Sequence, residues 1–513
     1  MIRVVVAKYL ETVTEREFDA PLLAVLASRG CTDIHFIHGS YEFGKDVIAK
    51  RVDPVTGVLH QLAIQSKAGD INQAAWRDVR PQLEECGYNT RAHPAFDVTL
   101  PRTAVLVTTG RLVGGAAVDA QEYKAVCTTR GLTNVEFWDD QTLLDWICVE
   151  PGLALAGTEV SNALMSLLSQ IDDHAIGEPM VERYTRGWVG SKSKLSRAAV
   201  EASIVCNALR RTRRLDLAAL TSLHLLRAAV AADRLGSRDM AEAAKSLFCG
   251  YGQELLNEIE PLLEDAHRLA EPVMTLGAAA TYPAMCCRLT EIVALLALTA
   301  DGSELAERAF RATQVLVDSH PGSTRPPSDA FAVSIVPVVC ALGRRGRDSA
   351  SDYLRLVARW LLDRHDDELG GLGLASLDES EEVTVERLLG GKLSGTTLER
   401  RRPSYLLAVV LDLFIVLGDQ ARYEAVRDQA RALRIVPTMT YAHESESWWL
   451  RGGPAVWPQP NIPYGDWGAM PVHHAVSIEV AAIDAVLMAA VCRSRHNVNA
   501  IAEVLSNNPE AGR

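Results

Sequence analysis

The period of the apolar residues changes near residue 150 of this 513-residue chain. Before that point, short strand-like runs alternate with helix-like runs, whereas after it long segments rich in Ala, Leu, Val and Arg follow one another at the helical period. Alternating elements predict a central sheet flanked by helices, and helical segments without intervening strands predict an all-α region. We therefore expect an α/β domain with a mixed sheet in residues 1–150, followed by a large all-α domain.

The helical region divides further by composition. Residues 151–214 form a basic linker with the first helices, and residues 215–513 form an all-α domain that we expect to act as a sensor or interaction module. Several Pro and Gly residues interrupt the helical pattern in residues 321–327, so a further split near residue 325 is an alternative.

A β-hairpin is the most distinct local prediction in residues 1–150. The strand-like runs Val47–Val52 and Leu59–Ser66 are joined by Asp53-Pro54-Val55-Thr56-Gly57, a segment typical of a turn. A helix at Phe18–Arg29 and a short strand at Ile34–Ile37 are predicted before the hairpin. The elements predicted after it are the helices Ala75–Cys86, Ala116–Thr128 and Thr142–Ile147 and the strands Thr103–Thr108 and Val135–Trp138.

Composition narrows the class of protein. The 65 acidic and 52 basic residues give a net charge of −13, which argues against a protein that coats nucleic acid by bulk charge but permits a local basic groove. The ten cysteines contain no CxxC pair, so we expect reduced thiols. The first residues lack the pattern of a secretory signal, which favours a cytoplasmic location.

The longest apolar run is too short to cross a membrane. It extends over Tyr405–Leu417, is interrupted by Asp412, and falls short of the roughly 20 residues that span a bilayer. A shorter run, Phe331–Leu342, contains Pro337. We predict that both runs are buried core helices and that the protein has no membrane partner. A membrane-acting effector is the alternative, and binding to liposomes would support it.

An acid, an amide and a lysine stand at neighbouring ends of the two hairpin strands. Asp46 precedes the first strand, and Gln65-Ser66-Lys67 ends the second. Strand side chains alternate between faces, so Gln65 and Lys67 project to the same face, and the hairpin brings that face beside Asp46. A surface Asp–Lys pair on an ordinary hairpin is the alternative, because motifs this short arise by chance.

These residues suit the hydrolysis of a phosphodiester, which requires a metal ion to neutralise phosphate charge and an activated water for attack. Asp46 offers a carboxylate, Gln65 a neutral side-chain oxygen and Ser66 a backbone carbonyl, and Mg²⁺ or Mn²⁺ prefers oxygen ligands of this kind. Lys67 can orient the water or stabilise the developing oxyanion. The sequence thus predicts a catalytic set of Asp46, Gln65 and Lys67.

The order of these motifs resembles the Mrr-type branch of the PD-(D/E)xK restriction-endonuclease-like superfamily. The similarity rests on a helix and a strand followed by Glu42-Phe43-Gly44-Lys45-Asp46 and then by Gln65-Ser66-Lys67-Ala68-Gly69-Asp70. Residues 105–110 and 137–144 are similar to the end of such domains, so the resemblance covers residues 1–150.

The resemblance implies a role for each matched residue. It implies that Asp46 is the motif Asp and that Gln65, Ser66 and Lys67 are the (D/E)xK element, in which Gln is common at the first position of the Mrr-type branch. It also implies that Asp19 reaches toward the metal from the preceding helix. A solvated first-turn acid favoured by the helix dipole is the alternative for Asp19, and Glu17 competes for the same role.

Residues 182–214 form the most basic stretch of the chain, with Glu182 and Glu201 as its only acids and with Tyr184 and Trp188 interleaved. Such a stretch can line a phosphate track, although a solvated linker and helix face is the alternative. The candidate nucleic-acid-binding residues are Arg183, Arg186, Lys192, Lys194, Arg197, Arg210, Arg211, Arg213 and Arg214.

These features together predict a metal-dependent endonuclease with a DNA substrate. The resemblance implies the effector of a bacterial anti-phage defence or restriction system, whose helical domain binds a trigger or a partner protein. By analogy we expect a homo-oligomer, because cutting two strands requires two sites. The alternative is a helical scaffold or sensor with a degenerate nuclease-like domain, which binds nucleic acid or a partner without cleaving.

Overall fold

The chain forms two compact units in the computed structural model. The first comprises Met1–Ser166 and Lys192–Val205, and the second comprises Leu167–Ser191 and Cys206–Arg513. The domain boundaries predicted at residues 150 and 214, and the split near residue 325, stay predictions. The structure describes residues 2–37, 45–53, 56–89, 93–156, 162–190, 192–232, 238–273, 278–377, 379–392, 398–438, 461, 463–467, 481–491 and 498–506.

A five-stranded mixed sheet lies at the centre of the first unit, as predicted. Its strands run in the order β1-β2-β3-β4-β5, with β1 to β3 antiparallel and β3 to β5 parallel. Val47 pairs with Ile64 across β2 and β3, which confirms the hairpin predicted from the sequence. The strands are β1 (Thr32–Phe36), β2 (Val47–Val52), β3 (Leu59–Lys67), β4 (Arg102–Thr108) and β5 (Asn134–Trp138).

Five helices surround this sheet: α1 (Ile2–Thr12), α2 (Glu15–Ser28), α3 (Gln73–Tyr88), α4 (Gly115–Thr129) and α5 (Asp140–Val149). Helix α1 was not predicted, because the β-branched run Val4-Val5-Val6 shows no helical spacing of polar residues. Helix α2 begins three residues before the predicted Phe18. The cause is a capping box in which the Thr14 side chain and the Glu17 side chain bond each other's backbone N–H groups.

Both faces of the sheet are buried. On one face, Ile48, Ala63 and Leu106 pack in a core with Trp76 of α3 and Ala120 of α4. The opposite face carries side chains that are also fully buried, as expected for parallel strands covered on two sides. These are Val47, Leu62, Ile64, Val105 and Val107. A sheet fixed in this way holds the residues at its strand ends in defined positions.

The second unit is largely helical, as predicted. Its described strands are limited to a two-residue pair, β6 (Pro403–Ser404) and β7 (Val436–Pro437). The remaining α-helices of the described residues are α6 (Asn162–Asp172), α7 (Glu178–Thr185), α8 (Lys192–Arg211), α9 (Leu215–Ala232), α10 (Arg238–Ile259), α11 (Ala266–Ala270), α12 (Ala278–Thr299), α13 (Ser303–Ser319), α14 (Ile335–Arg345), α15 (Arg347–His365), α16 (Glu381–Leu388), α17 (Tyr405–Leu417), α18 (Gln420–Ala432), α19 (Ala482–Ala489) and α20 (Val498–Ser506).

The apolar helices of the second unit are mostly buried. Helix α17 is the predicted core helix Tyr405–Leu417, and nearly all of its residues are buried, which confirms that prediction. In the described part of the chain, α9 and α12 are long and apolar enough to cross a membrane, but 89% and 72% of their apolar windows are buried inside the protein. Core helices of soluble proteins have the same length and composition.

A buried carboxylate joins two segments of the second unit. Asp329, which is fully buried, accepts hydrogen bonds from Arg401 Nη1 at 2.7 Å, from Ser404 Oγ at 3.0 Å and from Leu406 N at 3.0 Å. Three donors satisfy a charge that would otherwise be costly to bury. This network fixes the start of α17 against the turn that precedes α14.

Candidate active site

Asp46 stands directly before β2 with its backbone bonded to strands on both sides. Its N–H donates to Ile64 O of β3 at 2.9 Å, and its carbonyl accepts from Ile37 N at 2.8 Å. These bonds continue the sheet by one residue beyond the end of the hairpin. They explain why the carboxylate of Asp46 has a fixed position opposite the end of β3. Glu42, Phe43 and Gly44 of the same sequence motif lie outside the described residues.

The Asp46 carboxylate meets two donors from β3. Its Oδ2 accepts from Gln65 Nε2 at 2.5 Å and from the backbone N of Ser66 at 2.7 Å. Gln65 is 3% exposed and Ser66 is 1% exposed, so both donors are desolvated. Hydrogen bonds to an ionised acceptor are stronger than neutral ones, and the two bonds together hold the carboxylate in one orientation. The structure therefore brings the three residues together, as expected from the predicted hairpin.

The Ser66 carbonyl faces the same side of β3 as the Asp46 carboxylate. Along a strand, the N–H and C=O of one residue point the same way, and every second residue repeats that direction. Ile64 O accepts from Asp46 N, and Ser66 N donates to Asp46 Oδ2, so both residues direct their backbone groups toward Asp46. The Ser66 carbonyl is thus directed to the side of β3 on which Asp46 lies.

These oxygens fit a hard divalent cation. A flip of the Gln65 side-chain amide would add a third oxygen, because the flip exchanges the positions of Nε2 and Oε1. Mg²⁺ accepts few protein ligands and completes its shell with water. In the described part of the chain, no group of three or more His, Cys, Asp and Glu side chains could hold a metal. A cation at Asp46 would bind through its carboxylate and the two neutral oxygens, and Asp19 stays a predicted further ligand.

Lys67 ends β3 on the same face as Gln65, and its side chain contacts helix α2. Its Nζ lies 3.2 Å from Glu15 Oε1, and the two side chains are 28% and 48% exposed. Sequence reasoning missed Glu15, because the predicted helix began at Phe18. The signal was present in Thr14 and Glu17, whose spacing marks a capping box and places Glu15 in the first turn.

The acids predicted on α2 have different environments. Asp19 is half-buried and lies one helical turn after Glu15, so both acids occupy one side of the helix. The Glu17 carboxylate forms part of the N-terminal cap of α2, where it accepts hydrogen bonds from Thr14 N at 3.0 Å and from Thr14 Oγ1 at 2.8 Å. These bonds lower the pKa of the Glu17 carboxyl, the backbone bond from Thr14 contributing most. Glu15 is the α2 acid that contacts Lys67.

Lys45, next to Asp46, is buried rather than placed along an open approach. Its Nζ lies 5.4 Å from the centre of the Phe96 ring, and Arg102 lies 4.8 Å from the same ring. Burial lowers the pKa of the Lys45 ammonium. The motif around Asp46 does not reveal Phe96, the aromatic residue that lies against the Lys45 ammonium.

Most of the predicted phosphate-binding cations already have carboxylate partners. The ion pairs are Arg186 with Glu182, Arg197 with Glu201, Arg210 with Glu254, Arg213 with Glu258 and Arg214 with Asp216. Arg183, Lys194 and Arg211 are exposed. The side chain of Lys192 lies outside the described residues. The phosphate track stays a prediction.

The nine cations are also divided between the two units. Lys192, Lys194 and Arg197 belong to the first unit, and the other six belong to the second. The sequence placed them in one stretch, but the chain leaves the second unit and returns to it within α8.

Comparison with protein-family models, with curated proteins and with solved structures gives no match to this chain.

Proposed function

We propose that the chain is a metal-dependent endonuclease that hydrolyses DNA phosphodiester bonds at Asp46. The observation that carries the proposal is a pair of hydrogen bonds at the end of the hairpin. Asp46 Oδ2 accepts from Gln65 Nε2 at 2.5 Å and from Ser66 N at 2.7 Å. Lys67 follows on the same strand face. This arrangement supports the roles implied by the resemblance to Mrr-type nucleases.

Asp46, the Gln65 amide oxygen and the Ser66 carbonyl would hold Mg²⁺ or Mn²⁺, which would neutralise charge on the phosphate and favour an ionised water. Lys67 can donate from its ammonium to the attacking water or to a phosphate oxygen. Glu15, at 3.2 Å from Lys67, positions that ammonium at the edge of the site. Asp19 is the remaining candidate for the cation, on the same side of α2 as Glu15.

We propose that the helical unit controls or targets the nuclease in a cytoplasmic bacterial defence or restriction system. The support is its separation from the nuclease-like sheet as a second compact unit with its own buried core. A trigger or partner protein would bind this unit, and a homo-oligomer would supply a second site for the second DNA strand. Lysates of phage-infected cells would provide a source for testing such a trigger.

A nuclease-like domain that binds without cleaving is the second candidate. The observation that favours it is the bond from Gln65 Nε2 to Asp46 Oδ2, which satisfies the carboxylate without a cation. The neutral amide also removes one of the charges that would attract a cation. This candidate predicts nucleic-acid binding that is the same with and without divalent metal.

Plasmid cleavage tests the proposal. Purified protein is incubated with supercoiled DNA in Mg²⁺, Mn²⁺ or chelator, beside the Lys67→Ala and Lys50→Ala variants. Lys50 is a matched control, because it is also a strand lysine of this sheet, on β2, and pairs with an acid, Asp33, at 2.7 Å. We expect metal-dependent cutting that Lys67→Ala abolishes and Lys50→Ala retains. Absence of cutting with every metal would contradict the nuclease and favour the binding-only candidate.

A further inference from the structure

The ends of β3 and β4 stay together beyond the sheet and bring Arg111 to the edge that carries Lys67. The carboxyl ends of the parallel strands β3, β4 and β5 share this edge. After the strands, Ile71 pairs with Leu112, and Ile71 N donates to Arg111 O at 2.8 Å. Open sheets of parallel strands bind ligands at this edge.

Close contact of two turns fixes the Arg111 backbone. A Cβ on Gly110 would lie 2.3 Å from the carbonyl carbon of Gly69, so only glycine permits the two chains to meet there. Arg111 N then donates to Asp70 Oδ1 at 2.9 Å. Asp70 follows Lys67 by three residues, which span at most about 11 Å of extended chain. Arg111 and Lys67 are therefore separated by a length comparable to a few nucleotides, given about 3.4 Å per nucleotide along a strand.

One side of the Arg111 guanidinium is hydrogen-bonded to Asp140, and the other side is exposed. Its Nε donates to both oxygens of Asp140, at 3.1 Å and 2.9 Å, and the side chain is 59% exposed. Within the described chain, Nη1 and Nη2 of Arg111 have no protein partner. Two outward N–H donors on a rigid planar group match two oxygens of one phosphate.

Helix α5 begins at the same edge, after its cap Asp139, and Asp140 N donates to Gly110 O at 2.9 Å. This bond gives the backbone of Asp140 a defined position beside Arg111. As a surface ion pair, Arg111–Asp140 contributes little to stability.

We infer that Arg111 binds a backbone phosphate of the nucleic acid, within a few nucleotides of the phosphate that is hydrolysed at Asp46, and that Asp140 positions its guanidinium. This inference rests on the proposed function. Arg111 contacts substrate away from the reacting atoms, so its loss should raise KM and leave kcat nearly unchanged. Its contact is with the backbone and is therefore independent of base sequence.

The test is the binding of a fluorescein-labelled DNA duplex of about 30 base pairs, measured by anisotropy in chelator at several salt concentrations. The full chain is compared with Arg111→Gln, Arg111→Lys and Arg130→Gln. Arg130 is the matched control, because it is exposed at the far end of α4 and carries the same charge. Thermal melting checks that each variant is folded.

We expect Arg111→Gln to weaken binding several-fold and to reduce the slope of log affinity against log salt by about 0.9, the value for one phosphate contact. Arg111→Lys should keep the salt slope of the unmodified protein and lose part of the affinity, because lysine retains the charge but lacks the two parallel N–H donors of the guanidinium. Arg130→Gln should match the unmodified protein. Equal slopes for Arg111→Gln and Arg130→Gln would overturn the inference alone, while absence of DNA binding by the unmodified chain together with absence of plasmid cleavage in Mg²⁺ and Mn²⁺ would overturn the proposed function as well.

Discussion

Replacing Gln65 by Glu should make the stability of the first unit depend on divalent cations. Gln65 Nε2 donates to Asp46 Oδ2 at 2.5 Å, and both partners sit at the buried end of the hairpin. The Gln65→Glu change removes that bond and places a second negative charge beside the first. A cation between the two carboxylates would remove the repulsion and gain a second charged ligand.

The magnitude follows from the distance. The charge centres of the two carboxylates would be about 4 Å apart, where like charges repel by about 4 kcal/mol at an effective dielectric constant of 20. For a domain of this size, about 1 kcal/mol corresponds to a shift of about 2–4 °C in Tm, so the variant should melt about 8–16 °C lower in chelator. Protonation of one carboxyl would relieve the repulsion, so the assay is run near pH 8.5.

Metal should reverse this loss. A cation present at about 100 times its Kd adds about 2.7 kcal/mol to the folded state, so Mg²⁺ should restore most of the lost stability. Differential scanning fluorimetry of the full chain, with chelator and with Mg²⁺, measures both effects. The result requires a control in which the same chemistry is placed away from the predicted metal site.

Gln73→Glu is that control. Gln73 Nε2 donates to Asp119 Oδ2 at 2.5 Å, the same bond at the same length, on two helices of the same unit. That pair lies on α3 and α4, outside the predicted metal site, so its destabilisation should persist in Mg²⁺. Equal responses of Gln65→Glu and Gln73→Glu to Mg²⁺ would refute the reasoning that Asp46 belongs to a metal site.

Two further predictions concern the helical unit. Asp329→Ala should lower the free energy of unfolding in urea by about 3–5 kcal/mol, because the charge of Arg401 would remain buried without its partner. The control Asp367→Ala removes an acid from an exposed ion pair and should lower that free energy by less than about 1 kcal/mol. Similar losses in the two variants would contradict the role of the buried network. Burial lowers the pKa of the His365 imidazole in the folded protein. As the pH falls, His365 is therefore protonated in the unfolded chain before it is protonated in the folded one. Stability should therefore decrease below about pH 6.5, by at most about 1.4 kcal/mol per pH unit for this group. His365→Gln should reduce that slope in unfolding measured from pH 7 to pH 5, and an unchanged slope would contradict the assignment.

The hairpin and its polar residues could be predicted because their signals are local. Alternation with period two sets the faces of β2 and β3, and the turn sets the register, so the proximity of Asp46 and Gln65 follows from the sequence. Helix α2 could also be predicted, but its start could not be read from apolar spacing alone. The cap at Thr14 determined it, and with it the position of Glu15 beside Lys67.

The remaining parts depend on contacts between distant segments. Arg210 meets Glu254 from another helix, and no property of the basic stretch itself reveals such a partner. The position of Arg111 depends on the close approach of Gly110 to Gly69, which brings together two turns that are far apart in the chain. Sequence patterns report the period of an element and its caps, whereas pairing of exposed charges is decided by tertiary packing.

Plasmid cleavage by the Asp46→Ala variant tests the central claim most directly. The unmodified chain, Asp46→Ala and Asp33→Ala are compared in Mg²⁺ and in chelator, with Asp33 as an exposed control acid paired with Lys50 on the same sheet. The proposal predicts cutting in Mg²⁺ by the unmodified chain and by Asp33→Ala, and none by Asp46→Ala or in chelator. Cutting by Asp46→Ala at the rate of the unmodified chain would contradict it.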